Sequence, residues 1–285
     1  MNSVDGFVVI DKPAGITSHD VVAQIRRKFG TRQVGHAGTL DPMATGVLVI
    51  GINRATKFLQ YIVSGRKCYL ATIRLGERTT TDDREGEIIE RKDPHHISDA
   101  EITEALSGFI GKISQVPSSV SAIKISGKRA YELVREGKEV ELKPREVEIF
   151  ELRVLGIKRH DHLDIDIEVK CSAGTYIRAI ARDLGEKLKV GGHLIELRRT
   201  EVLPFEISQA SAVDDAQIRP LSQEIVKVLP SRTITDSEVT EIRFGRKITA
   251  SNFDEVGIAL DQSGKVVAII ENRDSGAQPL TVLNP

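Results

Sequence analysis

Cysteine is scarce in this chain: Cys68 and Cys171 are the only two in 285 residues. They lie far apart, outside any CxxC or His-rich pattern, which argues against a zinc site or a disulfide framework and for two core thiols. Long apolar runs are missing as well. No stretch approaches the roughly 18 apolar residues that span a bilayer, and the N-terminal MNSVDGFVVIDK has no basic region followed by an apolar run. No membrane association is expected, and a cytoplasmic protein is. Internal repeats and low-complexity tracts are also absent. Net charge is close to nil, at −1, which taken alone argues against a polyanionic partner.

The distribution of charge argues otherwise. Residues 1–80 carry eleven Lys/Arg against five Asp/Glu, whereas residues 206–285 carry eight against twelve. One half of the chain is locally basic, as a face that meets a phosphate backbone would be. Hydrophobic residues at 40% and charged residues at 28% are those of a globular chain able to bury a full core. The length accommodates one large domain or one plus a small one.

The stretch around which the rest is organised is GHAGTLDPMATGVL, Gly35 to Leu48. Its glycines Gly35, Gly38 and Gly46 permit backbone conformations closed to other residues, and Pro42 drives Asp41 out of the helical region. Asp41 is the only acid between Asp20 and Glu77. A lone carboxylate presented from a tight, mostly apolar turn is a candidate nucleophile or base, although Asp-Pro also simply starts turns.

Along the chain, GFVVID reads as a strand. Thr17 or Ser18 then caps a helix with Val21, Val22, Ile25 and Phe29 on one face. After the organising loop, GVLVIGI is of strand type and Ala55 to Val63 reads as a short helix. Lys67 to Gly76 alternates, with Tyr69, Ala71, Ile73 and Leu75 on its apolar face. EIIERK is a further strand, and Ser98 with Glu101 forms a capping box for a helix running towards Gly108. The weakly hydrophobic region 115–145 carries Lys124, Lys128, Arg129, Arg135, Lys138, Lys143 and Arg145, and reads as a basic excursion suited to clamping a polyanion or as plain surface. Glu148 to Lys158 and Leu163 to Cys171 form a hairpin. TYIRAIARDLGEKL opens at Thr175 as a helix with Arg178 and Arg182 beside its apolar stripe. HLIELRRTEVLPF is a mixed segment of core residues and arginines. A linker is expected at about Asp214 to Leu221, dividing a unit of residues 1–228 from a compact β unit of residues 229–285. That smaller unit is too short to be stable alone and is expected to dock on the larger one.

These motifs together resemble the bacterial TruB family of tRNA pseudouridine synthases. GHAGTLDPMATGVL matches the family signature, and DKPAGITS (Asp11 to Ser18) its leading motif. Lys67, Tyr69, Leu75, Gly76, Thr79, Thr81, Asp83 and Gly86 fit its K-x-Y, L-G and T-x-T-x-D-x-x-G pattern. VPSSVSAIKISGKRAYELVREG, CSAGTYIRAIARDLGEKL and ELRR follow in the family's order, so that the resemblance covers residues 6–205. Where many members have a second proline and an aromatic before S-A-x-K, this chain has Ser118, Ser119 and Val120. The resemblance implies an α+β fold: a mixed, mainly antiparallel sheet of pseudouridine synthase type flanked by helices, with a small C-terminal β-rich PUA-like domain.

The activity implied is isomerisation of uridine to pseudouridine in the TΨC loop (position 55) of tRNA. A glycosidic C–N bond is broken, the uracil turned and a C–C bond made to the same sugar, with no net oxidation and no cofactor or metal expected. The resemblance makes Asp41 the nucleophile, Arg178 the arginine paired with it, and Tyr69 the ring that stacks on the target base. Tyr176 and Leu197 match pocket residues, His36 the histidine near the displaced nucleotide, and Lys12 and Lys124 phosphate contacts. A carboxylate can attack base or sugar or assist loss of the base, and the residues leave these routes open. A non-catalytic tRNA-binding or folding-assistance protein is the competing reading, against which Asp41, Tyr69 and Arg178 stand together. A guide-RNA-dependent relative is disfavoured by the lack of a long basic tail for assembly with accessory proteins, so a stand-alone monomer without an obligate protein partner is expected. A glycoside hydrolase would need a second carboxylate, and none lies near Asp41 in sequence.

Overall fold

In the computed structural model of the chain, residues 4–118, 124–125, 128–129, 142–274 and 276–283 are described. In chain order the first half comprises β1 (Gly6–Lys12), α1 (Ser18–Phe29), β2 (Val34–His36), β3 (Thr45–Ile52), α2 (Leu59–Val63), β4 (Lys67–Leu75), β5 (Glu77–Thr79), β6 (Ile88–Arg91), α3 (Asp99–Ser107), β7 (Gly111–Gln115), β8 (Lys124–Ile125) and β9 (Lys128–Arg129). There follow β10 (Arg145–Arg159), β11 (Leu163–Cys171), α4 (Ile177–Lys187), β12 (Gly192–Val202), β13 (Phe205–Glu206), β14 (Arg219–Pro220), α5 (Leu221–Ile225), β15 (Ser231–Thr233), α6 (Asp236–Arg243), β16 (Ile248–Thr249), β17 (Gly257–Leu260), β18 (Val266–Arg273) and β19 (Gly276–Val282).

The large sheet runs β14-β1-β3-β12-β4-β11-β10-β7, with β2 added on β3 and β13 on β12. Among the described strands of this sheet, only β3 and β12 pair in parallel, through Arg198 with Thr45 and Arg199 with Gly46. A second sheet, β15-β17-β18-β19-β16, is built from the C-terminal residues. The fold is therefore α+β and mainly antiparallel, with a β-rich C-terminal part.

The sequence of each strand follows from what covers its faces. Phe7 to Ile10 of β1 and Val47 to Ile50 of β3 are continuously apolar because both sides are covered. Val8, Ile10, Leu48 and Ile50 belong to a core shared with α1, α3 and α4. Phe7, Val9, Val47 and Val49 turn the other way, into a core with Phe58, Ile62, Leu221 and Ile225. Ile258, Val266 and Ile269 of the second sheet, with Leu283 just beyond it, complete that second core, so the C-terminal part packs against the back of β1 and β3. β11, with one face covered, alternates strictly, Leu163, Ile165, Ile167, Val169 and Cys171 pointing inward. β4 does likewise beyond Cys68, and Tyr69 lies on its buried face as its alternation predicts.

Helix starts also follow local chemistry. Thr17 caps α1 and shares a capping box with Asp20, and Ser98 caps α3 with Glu101. The helix expected over 55–63 is divided: a 3₁₀ turn covers Asn53–Phe58 and α2 only Leu59–Val63. Asn53 has φ of +52°, and the Thr56 hydroxyl donates to its carbonyl at 2.7 Å, which favours a tight turn over a regular helical start. The segment 214–221, expected as a linker, instead supplies β14, which pairs with Gly6 and Phe7 and closes the open edge of β1. The mixed segment from His193 is the longest surprise: it forms β12, between β3 and β4 in the centre of the sheet. Most of the basic excursion at 115–145, including the Lys124 side chain, lies outside the described residues. Among the described residues no helix is long and apolar enough to cross a membrane.

Candidate active site

The loop between β2 and β3 is held from below by groups that the sheet and α1 deliver. Ser18, at the start of α1, donates its hydroxyl to the Leu40 carbonyl at 3.1 Å and accepts from the Leu40 amide at 2.9 Å. The Ala44 amide closes a turn on the Asp41 carbonyl at 3.1 Å. Leu40, Met43 and Ala44 sink into the main core. Gly38 and Gly46 take φ of +89° and +103°, values that suit glycine. With its neighbours anchored, Asp41 keeps its side chain a third exposed, towards a cavity of about 430 Å³.

That cavity gathers residues from five elements and their loops. Asp41, Tyr69, Tyr176, Arg178 and Leu197 all line it, so most of the candidates found by motif meet in one place. Tyr69 comes from β4, Leu197 from β12, and Arg178 from the first turn of α4. That helix begins at Ile177 rather than Thr175, with Tyr176 in the capping position. Gln115 fixes the start, donating to the Tyr176 carbonyl at 3.0 Å and accepting from its amide at 2.8 Å.

Arg178 is buried, and its Nε lies 3.1 Å from the Asp41 carboxylate. Its Nη1 reaches Asp83 at 3.0 Å and the Thr81 carbonyl at 3.0 Å. Asp83 is itself almost wholly buried and accepts from the Thr81 hydroxyl at 2.6 Å and the Glu85 amide at 3.0 Å. The second carboxylate that the sequence near Asp41 lacks is thus supplied by the 79–86 loop, bound to the arginine and outside the cavity lining.

Burial pushes the Tyr69 phenol above its ordinary pKa against the opposing pull of Arg199, so the ring offers a neutral hydroxyl. Lys67 also lines the cavity. Burial, helped by the charge of Arg199, lowers it to about 8. Its ammonium donates to Val63 at 2.6 Å and Gly65 at 2.7 Å. Glu85 is raised by burial first and then by Asp83 and Asp41.

Two candidates are placed elsewhere. Lys12 is fully buried, which a phosphate contact does not allow. Its ammonium donates to the carbonyls of Ile16 at 2.8 Å, Pro13 at 2.9 Å and Pro42 at 3.3 Å, where it braces the Asp41 loop. Burial lowers it to about 8, Asp41 opposing. His36 is absent from the cavity lining and packs edge-on against His19, ring centres 5.3 Å apart. No group of three or more His, Cys, Asp or Glu among the described residues is placed to hold a metal ion.

Residues 26–177 match the family described as "TruB family pseudouridylate synthase (N terminal domain)". Residues 178–225 match "tRNA pseudouridylate synthase B C-terminal domain", and residues 229–284 match "tRNA Pseudouridine synthase II, C terminal". The chain belongs to the TruB family.

Its TruB relatives include the tRNA pseudouridine synthase B of Mycobacterium tuberculosis strain H37Rv, 49% identical over 286 residues that cover 98% of this chain and 96% of the relative. That of Thermobifida fusca is 47% identical over 287 residues, 98% of each chain. Among solved structures, a chain of an H/ACA ribonucleoprotein bound to a substrate RNA containing 2′-deoxyuridine has the same fold, with a TM-score of 0.71 and 23% identity over 98% of this chain and 85% of that one. As a TruB protein the chain is an isomerase, a pseudouridine synthase. Asp83 and Arg199 sit within the motifs T-x-T-x-D-x-x-G and ELRR, but their bearing on Asp41 depends on contacts that only the fold creates.

Proposed function

We propose that this enzyme makes pseudouridine in tRNA at the uridine of the TΨC loop, position 55. The observation that carries the reading is the Asp41–Arg178 pair at a cavity walled by Tyr69, Tyr176 and Leu197. Uridine becomes pseudouridine when C1′–N1 breaks and C1′–C5 forms, N1 gaining a proton and C5 losing one. A target stacked inside a folded arm has to be flipped out first, at a cost of a few kcal/mol. Tyr69 then stacks on the flipped base, with Leu197 and Tyr176 enclosing it.

Asp41 is the reacting carboxylate, acting on the base or on the sugar. Arg178 aims it and keeps water from competing for its oxygens, a charge-assisted contact stronger than a neutral one. His36, beside the loop and outside the cavity lining, occupies space near the displaced nucleotide. The basic region 115–145, Lys124 among it, grips phosphates, so that affinity falls with salt and depends mainly on RNA shape. Residues 1–228 form the catalytic unit and 229–285 a PUA-like one, and the chain acts in the cytoplasm as a monomer without a cofactor or protein partner.

The test is tritium release from tRNA transcripts labelled at uracil C5, followed by mapping of the modified position. Wild type releases tritium and modifies the TΨC uridine, while Asp41→Asn releases none. Binding of tRNA without release would reject catalysis, and modification elsewhere would reject the position.

A further inference from the structure

Arg199 is among the largest fully buried side chains of the molecule, and no carboxylate among the described residues pairs with it. Burying a guanidinium on neutral acceptors alone is costly, and an apolar side chain of similar volume would fill the space at less cost. What it gains is specific. Its Nε donates to the Val47 carbonyl at 2.8 Å, its Nη2 to Gly38 at 3.1 Å and its Nη1, more weakly, to Thr39 at 3.5 Å. Gly38 and Thr39 enter the Asp41 loop and Val47 leaves it, so one planar group ties both arms together.

The parallel contact of β12 with β3 makes this reach possible. It sets Arg199 opposite Gly46, where any Cβ would collide with the Arg199 backbone. Arg199 also lines the cavity and acts on the Tyr69 hydroxyl. Lys12 and Ser18 pin the carbonyls of Pro42 and Leu40 from the α1 side. The loop is thereby held from opposite sides, with Asp41 directed at Arg178.

We propose that Arg199 is a positioning residue for the isomerisation, a guanidinium clamp that sets the aim of Asp41 by holding the two arms of its loop. The proposal rests on the reading of Asp41 as the reacting carboxylate. A displacement of about 1 Å at a reacting group can cost about 100-fold in rate. Loss of the clamp therefore acts on the chemical step, and because phosphate contacts elsewhere carry most of the RNA affinity it changes Kd little.

The experiment uses the full-length wild type, Arg199→Lys and Arg199→Met. Single-turnover tritium release is measured at saturating enzyme, beside Kd for a T-arm RNA and a thermal melt followed by circular dichroism. Arg199→Met is expected to lose about 10- to 100-fold in single-turnover rate at a temperature where it is folded, with Kd within about twofold of wild type. Arg199→Lys, which keeps the charge but reaches fewer carbonyls, falls between. Where Arg199→Met does not fold, Arg199→Lys is read by the same criteria. A folded variant reacting within about twofold of wild type overturns the proposal, as does a rate loss matched by an equal loss of affinity. Failure of wild type itself to release tritium is a separate result, and rejects the function instead.

Discussion

Arg178 holds two carboxylates at once, Asp41 on its Nε at 3.1 Å and Asp83 on its Nη1 at 3.0 Å. The two differ in exposure, 33% for the Asp41 side chain against 4% for Asp83, which separates their roles. Asp83 is the fixed anchor and Asp41 the partner that can meet a substrate. The arginine is thereby oriented before any RNA arrives.

Asp83→Asn keeps the shape of the anchor and removes its charge. Loss of one charge-assisted contact, about 1.5–3 kcal/mol, corresponds to about a 10- to 160-fold fall in single-turnover tritium release if it all appears in positioning. Affinity for a T-arm RNA should hold, since Asp83 does not line the cavity. An unchanged rate would show that the second carboxylate does nothing for the first.

Lys67 sets a pH signature on stability. Burial brings its folded pKa to about 8 from an ordinary 10.5, so between those values the unfolded chain binds more protons than the folded one. Stability therefore rises with pH across that window. Urea midpoints of wild type and Lys67→Met measured through the window should show a flatter rise in the variant. Parallel curves would mean that the ammonium is not strained by its surroundings.

Gly46→Ala tests the junction of β3 and β12. Its φ of +103° and the collision of a Cβ with the Arg199 backbone both oppose any side chain. Backbone strain alone is about 1–3 kcal/mol, and the contact adds to it. The expected result is a lower urea midpoint together with lost tritium release. Wild-type stability in the variant would deny the close approach.

The thiols should be inert. Cys171 is fully buried and pushed to about 11 by burial, and Cys68 is also buried and raised. Thiolates are the reactive form, so Ellman's reagent should titrate neither cysteine in the native protein and both in denaturant. Rapid reaction of a native thiol would contradict the packing around β4 and β11.

Local signals were legible in the sequence and long-range ones were not. Capping at Thr17 and Ser98, the inward face of Tyr69 and the β10–β11 hairpin each depend on a few neighbouring residues, and each is found where the pattern puts it. The gathering of Asp41, Tyr69, Arg178, Tyr176 and Leu197 was read through the family motifs rather than through periodicity. β12 was obscured because Glu196, Arg198 and Arg199 break its alternation. Arg199 is buried all the same, since its hydrogen bonds are met by carbonyls from β3 and its loop. Lys12 misleads for the same reason: charge in a sequence suggests solvent or phosphate until the backbone acceptors around it are known. Asp83 meets Arg178 only because the 79–86 loop folds back onto β12, its bridge to Leu194 fixing the approach.

The apolar cluster that joins Phe7, Val9, Val47 and Val49 to Ile258, Val266, Ile269 and Leu283 bears on how the molecule comes apart. One side of it is the reverse of the strand that leaves the Asp41 loop; the other is the C-terminal sheet. Neither can be exchanged or deleted without stripping the other of its backing. Heat or denaturant should accordingly melt both in a single cooperative step, and a chain cut short before β15 would present a bare oily wall behind its own Asp41 loop.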